Sequence, residues 1–404
     1  MTYKSLETIW QHCPITALSY ISKSLLAVGS ANVLNIYNIH KKSVLCKYLL
    51  RRFVIMHNIE TIRDSRRNSY ILCTFGNRFV TVLGFDLSSS NLSLIFEDYH
   101  CDNVVYCKIN SNELSLYLQT LSSHGLFQVI KLSWDFNKNS NNVDVTCVHL
   151  QTSACYTGHI FQYSSPTSSL LSSPVDKALV FCGSTFGNIH IFKIPNDNVT
   201  QSSVAPSLSL CAQKGVIFSL DFCCLASEQS SSKKSFRLVS CAEDRSIAVW
   251  STSVESNGGV KDFSFWELVY NLKAGSIFDD SVIFESRIWC VRVGDWGIVA
   301  TGEATGGNDG AICIRELTNY RNDCDESECI ILPCHEFTTN NTKELMIDSH
   351  EMKITSPRSQ QVSFNFKEKD FARVLFFGSC GRLFYVTNLG WVTNEFSFFI
   401  IRME

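Results

Sequence analysis

The sequence has no excess of positive charge and no long hydrophobic run. Its 35 basic and 38 acidic residues give a formal net charge of −3, which provides no bulk attraction for nucleic acid, and no DNA partner is expected. Apolar segments such as FSFFII near the C-terminus are shorter than the roughly 20 residues that cross a bilayer. The N-terminal segment MTYKSLETIW lacks the apolar centre of a signal peptide. We expect a cytoplasmic protein with no membrane partner.

Sequence signatures of enzymes are also missing. The chain contains no G-x-S-x-G, H-E-x-x-H or G-x-x-x-x-G-K-[ST] motif. The glycine-rich segment 302–310 is followed by neither Lys-Ser/Thr nor a helix, so we interpret it as an insertion in a hairpin rather than a phosphate loop. A catalytic propeller would need acids or histidines clustered at its axis, and no such cluster is apparent. No catalytic residue, cofactor or enzyme activity is predicted.

Cysteine is abundant, but its spacing does not indicate disulfides. Many of the 18 cysteines lie in β-like apolar runs, where a free thiol packs as a small hydrophobic group: Cys73, Cys182, Cys223, Cys241, Cys290 and Cys313. A reducing, intracellular setting is expected. The acidic segment 324–336 contains Cys324, Cys329, Cys334 and His335 at a spacing that is borderline for zinc. The favoured interpretation is a loop with exposed cysteines and no metal.

The chain does contain a repeated unit centred on a turn. The segment RLVSCAEDRSIAVWS at 237–251 consists of an apolar run, a small residue, a polar turn and an alternating apolar run. This pattern is typical of a β-hairpin. Seven segments share it: 27–37, 73–83, 120–130, 181–192, 237–251, 308–316 and 376–386. Most copies follow another short β-like run, such as ITALSY or RIWCVRV.

Seven such units without a long amphipathic helix predict an all-β, seven-bladed β-propeller over residues 1–390. The segment LETIW (6–10) is expected to supply the outer strand of the last blade. Residues 391–404 fit no repeat and are left as an unmatched tail. Polar insertions, interpreted as loops, lie near 196–212, 225–236, 251–263 and 318–362.

The clearest copy resembles a hairpin of the WD-repeat family. In SCAEDRSIAVW, Ser240 lies on the first strand, Asp244 at the turn and Trp250 at the end of the second strand. In that family the turn Asp joins a hydrogen-bond network with a His from the preceding loop, a strand Ser or Thr, and the Trp. The preceding segment QKGVIFSLDF contains no His, so the network is expected to be incomplete.

Residues 214–316 resemble a narrower family. The segments KGVIFSLDF, LVSCAEDRSIAVWS and ESRIWCVRV are similar to the first propeller of the WD-repeat accessory subunit of an FtsJ-like tRNA 2′-O-ribose methyltransferase. The resemblance implies a non-catalytic subunit that binds the methyltransferase and helps to present tRNA for methylation at the anticodon wobble position. The alternative is a general WD-repeat scaffold or adaptor that binds proteins and has no RNA role.

The candidate partner-binding residues are arginines expected on one rim of the propeller: Arg51, Arg52, Arg78, Arg245, Arg287 and Arg382. Together they are predicted to form a cationic patch for phosphates or an acidic protein surface, because Arg pairs with both in bidentate fashion. The alternative is that each pairs with a neighbouring carboxylate such as Asp244 or Glu285. Trp289 follows Arg287 on a strand and is expected in the core.

Overall fold

The computed structural model describes residues 5–10, 15–22, 24–41, 43–51, 54–64, 68–111, 115–134, 141–162, 178–194, 203–225, 233–255, 263–273, 277–278, 281–282, 287–293, 298–304, 311–316, 329–333, 372–377, 382–387 and 391–397. Side chains are described between residues 16 and 293. Every regular element in these segments is a β-strand, and within them no helix has the length and hydropathy to cross a membrane.

The first four sheets are antiparallel and follow one another along the chain. Sheet 1 contains β2 (Ile15–Ser22), β3 (Leu25–Ser30), β4 (Val33–Asn38) and β5 (Ser43–Leu49). Sheet 2 contains β6 (Met56–Asp64), β7 (Ser69–Gly76), β8 (Phe79–Asp86) and β9 (Asn91–Tyr99). Sheet 3 contains β10 (Val104–Ser111), β11 (Ser115–Ser122), β12 (Leu126–Trp134) and β13 (Asn141–Leu150). Sheet 4 contains β14 (Cys155–Gln162), β15 (Ala178–Ser184), β16 (Asn188–Lys193) and β18 (Leu208–Cys211).

Three further sheets complete the described part. Sheet 5 contains β19 (Ile217–Cys224), β20 (Lys233–Ala242), β21 (Ser246–Glu255) and β22 (Glu267–Lys273). Sheet 6 contains β25 (Arg287–Val293), β26 (Ile298–Ala304), β27 (Ala311–Glu316) and β28 (Cys329–Pro333). Sheet 7 contains β29 (Ala372–Phe377), β30 (Arg382–Thr387), β31 (Trp391–Ser397) and β1 (Ser5–Trp10). In addition, β17 (Ser203–Val204) is a fifth strand of sheet 3, paired in parallel with β13, and β23 (Ile277–Phe278) pairs with β24 (Ser281–Val282) in a separate two-stranded sheet.

The sheets are arranged around an axis with their first strands innermost. Each first strand contacts the first strand of the next sheet, in the order β2, β6, β10, β14, β19, β25 and β29, and β29 contacts β2. The N-terminal strand β1 pairs with β31, with Ile9 opposite Val392. The prediction that residues 6–10 supply the outer strand of the last sheet is confirmed. The fold is an all-β propeller, because packing sheets side by side around an axis buries faces that one sheet alone would expose.

Two sets of predicted boundaries differ from the structure. The predicted tail at 391–404 begins with a strand, since Trp391–Ser397 forms β31 between β30 and β1. The predicted insertion at 196–212 contains β18, the outer strand of sheet 4, and the one at 318–362 contains β28. The insertions at 225–236 and 251–263 are also partly strand, because β20 begins at Lys233 and β21 extends to Glu255. These strands were missed because they are short or polar and are specified by pairing.

The core lies between neighbouring sheets. Between sheets 4 and 5, the ring of Phe222 stacks on Phe181 (5.1 Å between centroids) and on Phe236 (5.6 Å). Burying one such side chain stabilises the fold by about 2–3 kcal/mol. Five of the six cysteines predicted in apolar runs are buried free thiols, which confirms that interpretation for Cys73, Cys182, Cys223, Cys241 and Cys290. The side chain of Cys313 lies outside the described part.

Candidate functional site: the turn rim and the axis

One face of the propeller carries the turns between second and third strands together with the connections between sheets. Backbone hydrogen bonds join the two: Asn77 N donates to Ile55 O (3.3 Å), Cys155 N to Ser123 O (2.7 Å) and Glu243 N to Val216 O (2.8 Å). We call this face the turn rim. Its described segments are 31–32, 49–51, 54–55, 77–78, 97–103, 122–125, 151–154, 185–187, 212–216 and 243–245.

A β-bulge occurs at the start of the first strand of every sheet. In each case the register between first and second strands shifts by one residue, next to the turn rim. The inserted residues are Thr16, His57, Val105, Tyr156, Phe218, Trp289 and Arg373. A bulge re-aims the side chain of its extra residue, and none of those with described side chains is buried. The six with described side chains are thus half-buried or exposed, and of these Val105 and Phe218 still pack against the core. We call the seven inserted residues the bulge ring.

Three neighbouring members of the bulge ring form a row of aromatic side chains. The ring of Tyr156 packs edge-on against Phe218 (5.6 Å between centroids, 73° between planes), and Phe218 stacks on Trp289 (4.8 Å, 26°). Tyr156 is 51% exposed, whereas Phe218 and Trp289 are half-buried. Trp289, which was expected in the core, is half-buried at the bulge between Ile288 and Cys290, and Phe218, on which it stacks, packs against the core. We call Tyr156, Phe218 and Trp289 the aromatic ridge.

The WD-type hairpin of sheet 5 is tied to the preceding connection by Gln213, a residue that sequence reasoning missed. The buried Gln213 amide donates to Ser246 O (2.9 Å) and Ser246 Oγ (3.0 Å), and it accepts from Ser240 Oγ. The Asp244 carboxylate accepts from Lys214 N (2.8 Å) and Ser246 N (3.1 Å). The missing His therefore does not leave Ser240 without a partner. A carboxamide both donates and accepts hydrogen bonds, as a His ring does. Gln213, in the connection before β19, therefore takes the role that a His has in the WD-repeat family.

Trp250 does not join this network. Its side chain is 7% exposed and packs in the core between sheets 4 and 5. The indole N–H has no hydrogen-bond partner within the described part of the chain. Ser240 and Asp244 thus have the positions expected for a WD-type hairpin, whereas Trp250 acts as a hydrophobic residue only.

The side chains of three predicted rim arginines are described, and two of them, Arg51 and Arg78, contact the end of β9 and the residue after it. Arg51 lies in the connection between sheets 1 and 2, where Nη2 pairs with Glu97 Oε2 (3.0 Å) and the guanidinium lies 5.3 Å from the Tyr99 ring centroid. Arg78 lies on the turn of sheet 2, and its Nε donates to His100 O (3.5 Å). Arg51 therefore pairs with a neighbouring carboxylate, as the alternative interpretation expected. The partner is Glu97, and neither Asp244 nor Glu285, which were given as examples.

Arg245 lies on the turn of sheet 5, three sheets further around the axis, with an exposed side chain. Arg287 and Arg382 begin β25 and β30, and their side chains lie outside the described part, as does Arg52 altogether. The described turn rim contains four basic residues, Arg51, Arg78, Lys214 and Arg245, and five acidic ones, Glu97, Asp98, Asp102, Glu243 and Asp244. Its described part therefore has no excess positive charge.

The turns of the rim share one backbone feature. One turn residue has positive φ in each of sheets 1 to 5: Arg78 (58°), Gly125 (77°), Gly187 (83°) and Arg245 (61°) end their turns, whereas Ala31 (52°) begins the two-residue turn of sheet 1. This left-handed region is open to glycine and strained for other residues. These five turns thus share a left-handed residue although their lengths and sequences differ.

The axis is lined by a polar belt that the sequence did not reveal. The residue three positions after each bulge is Ser19, Glu60, Lys108, His159, Asp221, Arg292 or Phe376. Lys108 Nζ lies 3.8 Å from Glu60 Oε2, while Arg292 Nη1 donates to Val291 O (2.9 Å) and Asp221 Oδ2 accepts from Val293 N (2.8 Å). The inference that no charged cluster occurs at the axis is wrong for these residues.

Burial shifts the pKa values of the titratable groups in the belt. Burial raises the pKa of Glu60 and of Asp221, and the nearby cations Lys108 and Arg292 oppose that rise. Burial, together with the same two cations, lowers the pKa of His159 to about 3. An efficient general base has a pKa near the working pH, and His159 is far below it. The two acids and two cations of the belt balance one another.

Within the described part there is no group of three or more His, Cys, Asp or Glu side chains that could hold a metal ion. Cys324, Cys334 and His335 of the acidic segment lie outside the described residues, and only the backbone of Cys329 is described, in β28.

Comparisons with known proteins identify the fold and no more. No family model matches the chain, and no curated protein matches its sequence. The structure is similar to Chaetomium thermophilum Raptor, with a TM-score of 0.59 and 8% identity over 98% of this chain and 29% of that chain. It is also similar to the WD40 β-propeller domain of Doa1 (TM-score 0.53, 11% identity, 98% and 97%) and to the WD40 repeats of RRP9 (0.57, 13%, 98% and 100%). An all-β propeller of WD type is confirmed.

Proposed function

We propose that this chain is a non-catalytic scaffold that binds a partner protein through the turn rim. The bulge ring supports the proposal most directly. Seven bulges lie at equivalent positions on the same face, and the six inserted residues whose side chains are described are half-buried or exposed. Bulges of this kind are designed features rather than defects. Tyr and Trp, two members of the aromatic ridge, are the residue types most enriched at interaction hot spots.

The absence of catalysis is part of the proposal. Among the titratable groups described at the axis, Glu60 pairs with Lys108, and His159 stays neutral at physiological pH. The similarity to WD40 propellers agrees with a scaffold, although fold alone does not establish function.

A finer form of the proposal names the partner. The resemblance of residues 214–316 to the accessory subunit of an FtsJ-like tRNA 2′-O-ribose methyltransferase supports binding to such an enzyme and shared presentation of tRNA. The charge balance of the described turn rim favours contact with the enzyme over direct contact with RNA phosphates. In this form the chain contributes no methyl-donor site and no catalytic residue.

Crosslinking with mass spectrometry tests the general proposal. Two exposed lysines provide a matched pair: Lys214 lies on the turn rim, and Lys41 lies on the opposite rim in the turn between β4 and β5. We expect amine-reactive crosslinks from Lys214 to one partner protein, and few from Lys41. Crosslinks concentrated at Lys41 would contradict docking on the turn rim.

Copurification tests the finer form. The tagged chain is isolated from extract with and without nuclease treatment, and the bound proteins and RNAs are identified. An FtsJ-like methyltransferase that remains bound after nuclease treatment, and whose tRNA methylation rises when the chain is added, is the expected result. Copurification of neither the enzyme nor tRNA removes the finer form and leaves the general scaffold.

A further inference from the structure

Two free thiols meet where sheet 2 packs on sheet 3. Cys73 lies on β7, the second strand of sheet 2, and Cys107 lies on β10, the first strand of sheet 3. Their Sγ atoms are 3.4 Å apart, and one thiol donates a hydrogen bond to the other. A single buried cysteine packs as a small hydrophobic group. This pair in addition places two oxidisable sulfur atoms in direct contact across the boundary between two sheets.

The surroundings of the pair restrict what can react with it. Both side chains are fully buried, in an apolar cluster that includes Phe75, Val82 and Ile109. Burial raises the pKa of the Cys107 thiol well above its usual value, and the hydrogen bond with Cys73 acts in the same direction. The thiolate is the reactive form of cysteine, so Cys107 reacts slowly while the sheets are packed. The pair therefore stays reduced until a small oxidant passes between the sheets.

The two sulfur atoms need to move little to become bonded. An S–S bond is about 2.05 Å long, so the Sγ atoms of Cys73 and Cys107 have to approach by about 1.4 Å from their present separation. Each Sγ moves with a single side-chain torsion, so small rotations of the two side chains provide this movement. The strands β7 and β10 already hold the two cysteines facing each other.

From the contact between the two sulfur atoms we infer that Cys73 and Cys107 are a peroxide-sensitive dithiol, which hydrogen peroxide converts to a disulfide between sheets 2 and 3. Peroxide is small and uncharged, so it enters an apolar interface at a lower cost than a charged oxidant does. The bond adds a covalent link to an interface that noncovalent packing holds in the reduced state. This inference goes beyond the scaffold function and does not depend on the partner proposed for it.

The reaction has two steps. The thiolate of one cysteine attacks an oxygen atom of peroxide, the O–O bond breaks, and a sulfenic acid forms. The departing hydroxide takes up the proton that the thiol lost and leaves as water. The thiolate of the second cysteine then attacks the sulfenic sulfur, the S–S bond forms, the S–O bond breaks, and the second thiol proton leaves in a second water. Two thiols and one peroxide give one disulfide and two waters, and two electrons pass from sulfur to oxygen.

Peptide mapping of the oxidised full chain tests the inference. The reduced, folded protein is treated with hydrogen peroxide, the remaining thiols are blocked with N-ethylmaleimide in denaturant, and the chain is digested with trypsin without reduction. Trypsin releases Cys73 in peptide 68–78 and Cys107 in peptide 79–108. We expect mass spectrometry to find these two peptides joined, at a mass two hydrogens below their sum. Treatment with dithiothreitol is expected to separate them.

Cys101 provides a matched control, because it is an exposed thiol on the same tryptic peptide as Cys107. A second digest with a protease that cleaves before aspartate separates the two cysteines at Asp102, so the wild-type chain alone shows which of them is linked. We expect Cys101→Ala to keep the link and Cys107→Ala to abolish it. Thermal unfolding of each reduced variant shows that it is folded before oxidation.

Two further measurements test the buried setting and the effect of the bond. Oxidised glutathione is bulky and charged, and it is expected to give at least about tenfold less link than peroxide at the same concentration, because the oxidation of a thiol follows its exposure. The bridge would join positions 34 residues apart and restrict the unfolded chain. Oxidation is therefore expected to raise the melting temperature of the wild type by at least about 3 °C, and not that of Cys107→Ala.

Two results would overturn the inference outright. One is the absence of a link between peptides 68–78 and 79–108 in the folded wild-type chain when its exposed cysteines are oxidised, and the other is a link that runs to Cys101. Equal yields from peroxide and oxidised glutathione would refute the restriction to a small oxidant. An unchanged melting temperature of the linked chain would refute the locking of sheets 2 and 3.

Discussion

In sheets 3 and 5 a carboxylate joins the turn to the connection that precedes the sheet. In sheet 5 the turn provides the carboxylate, and in sheet 3 the connection provides it. In sheet 5, Asp244 lies on the turn and accepts a hydrogen bond from Lys214 N on the connection (2.8 Å). In sheet 3, Asp102 lies on the connection and accepts from His124 N on the turn (2.9 Å), with the His124 ring as a second partner. Both sheets therefore have a hydrogen bond between turn and connection, but the segments that provide the donor and the acceptor are reversed.

The comparison shows what the repeat preserves. A turn on the rim needs a partner for its backbone N–H groups, because unpaired polar groups near the core are costly. Either side of the contact can provide the carboxylate. The sequence pattern of a WD-type hairpin is therefore recognisable in sheet 5 and lost in sheet 3, although both turns have the same left-handed last residue.

The largest expected effect is from Gln213→Ala, which removes the amide that sheet 5 has and sheet 3 lacks. The change leaves the buried hydroxyls of Ser240 and Ser246 without this partner. We expect a loss of about 3 kcal/mol in the free energy of unfolding, because unsatisfied buried groups cost about 1–3 kcal/mol each. Denaturant unfolding measures it. Gln213→His, which keeps a donor and an acceptor, is expected to recover at least half; a neutral Gln213→Ala would contradict the role of the amide.

The next effect is from Gly125→Ala in the turn of sheet 3. Gly125 has φ +77°, and an added Cβ would lie 2.7 Å from Leu150 O. We expect a loss of about 2 kcal/mol, since both the backbone conformation and the close carbonyl oppose a side chain. Gly84→Ala in β8 is the control, because its Cβ would meet only flexible side-chain atoms of Ile95 and Ser93 at 3.3 Å. Equal stability losses in the two variants would contradict the conclusion that the turn requires glycine at position 125.

Asp102→Asn tests the carboxylate of sheet 3 and its dependence on pH. Burial raises the pKa of Asp102, but hydrogen bonds from His124, Ser123 and the Asn103 amide outweigh that effect and hold it below its usual value. The stabilisation is therefore present above a pH of about 4 and is lost as the pH falls through the lowered pKa. We expect Asp102→Asn to cost about 1 kcal/mol at neutral pH.

Denaturant unfolding at neutral pH and near pH 2–3 measures this difference, which is expected to shrink in acid as the wild-type carboxyl becomes protonated. Asp244→Asn is the matched change in sheet 5. Because the two sheets are not neighbours, the two losses are expected to add in the double variant. A constant difference across this pH range would contradict an ionised Asp102 in the link.

The smallest expected effect is a gain from Arg245→Gly. Arg245 holds φ +61° at the turn position where sheet 3 has glycine, and the left-handed conformation costs a non-glycine residue about 1–2 kcal/mol. Greater freedom of glycine in the unfolded chain offsets part of that cost, so a net gain of about 0.5 kcal/mol is expected. A rise in melting temperature would support it, and a fall would show that the Arg245 side chain stabilises the turn.

Much of the fold could be predicted from the repeated pattern. The hairpins at 27–37, 73–83, 120–130 and 181–192 each contain a polar turn between apolar runs, and each forms a second-to-third-strand pair. The outer strands were harder to predict. β18 has only four residues within a polar segment, and β31 depends on pairing with both β30 and β1. Short strands of this kind are specified by their partners rather than by their own composition.

The candidate site was predicted less well than the fold. The arginines at 51, 78 and 245 do lie on the turn rim, since a turn residue's place follows from the hairpin that contains it. The bulge ring was missed because a bulge exists only relative to the register of the neighbouring strand. An apolar pair at the start of three inner strands, VV in β10, IF in β19 and IW in β25, was the available signal.

The amino-acid sequence alone determined the repeated hairpin, the all-β character and the free, buried cysteines, because these depend on local turn chemistry and on the alternation of apolar residues. Only the tertiary structure decided which side chains meet. Glu60, Lys108, Asp221 and Arg292 come from four sheets and become one balanced belt at the axis. Tyr156, Phe218 and Trp289 become one ridge. The reason is geometric. Closure around an axis brings together equivalent positions of strands that are far apart in the sequence, so the number of residues between two positions does not predict the distance between their side chains.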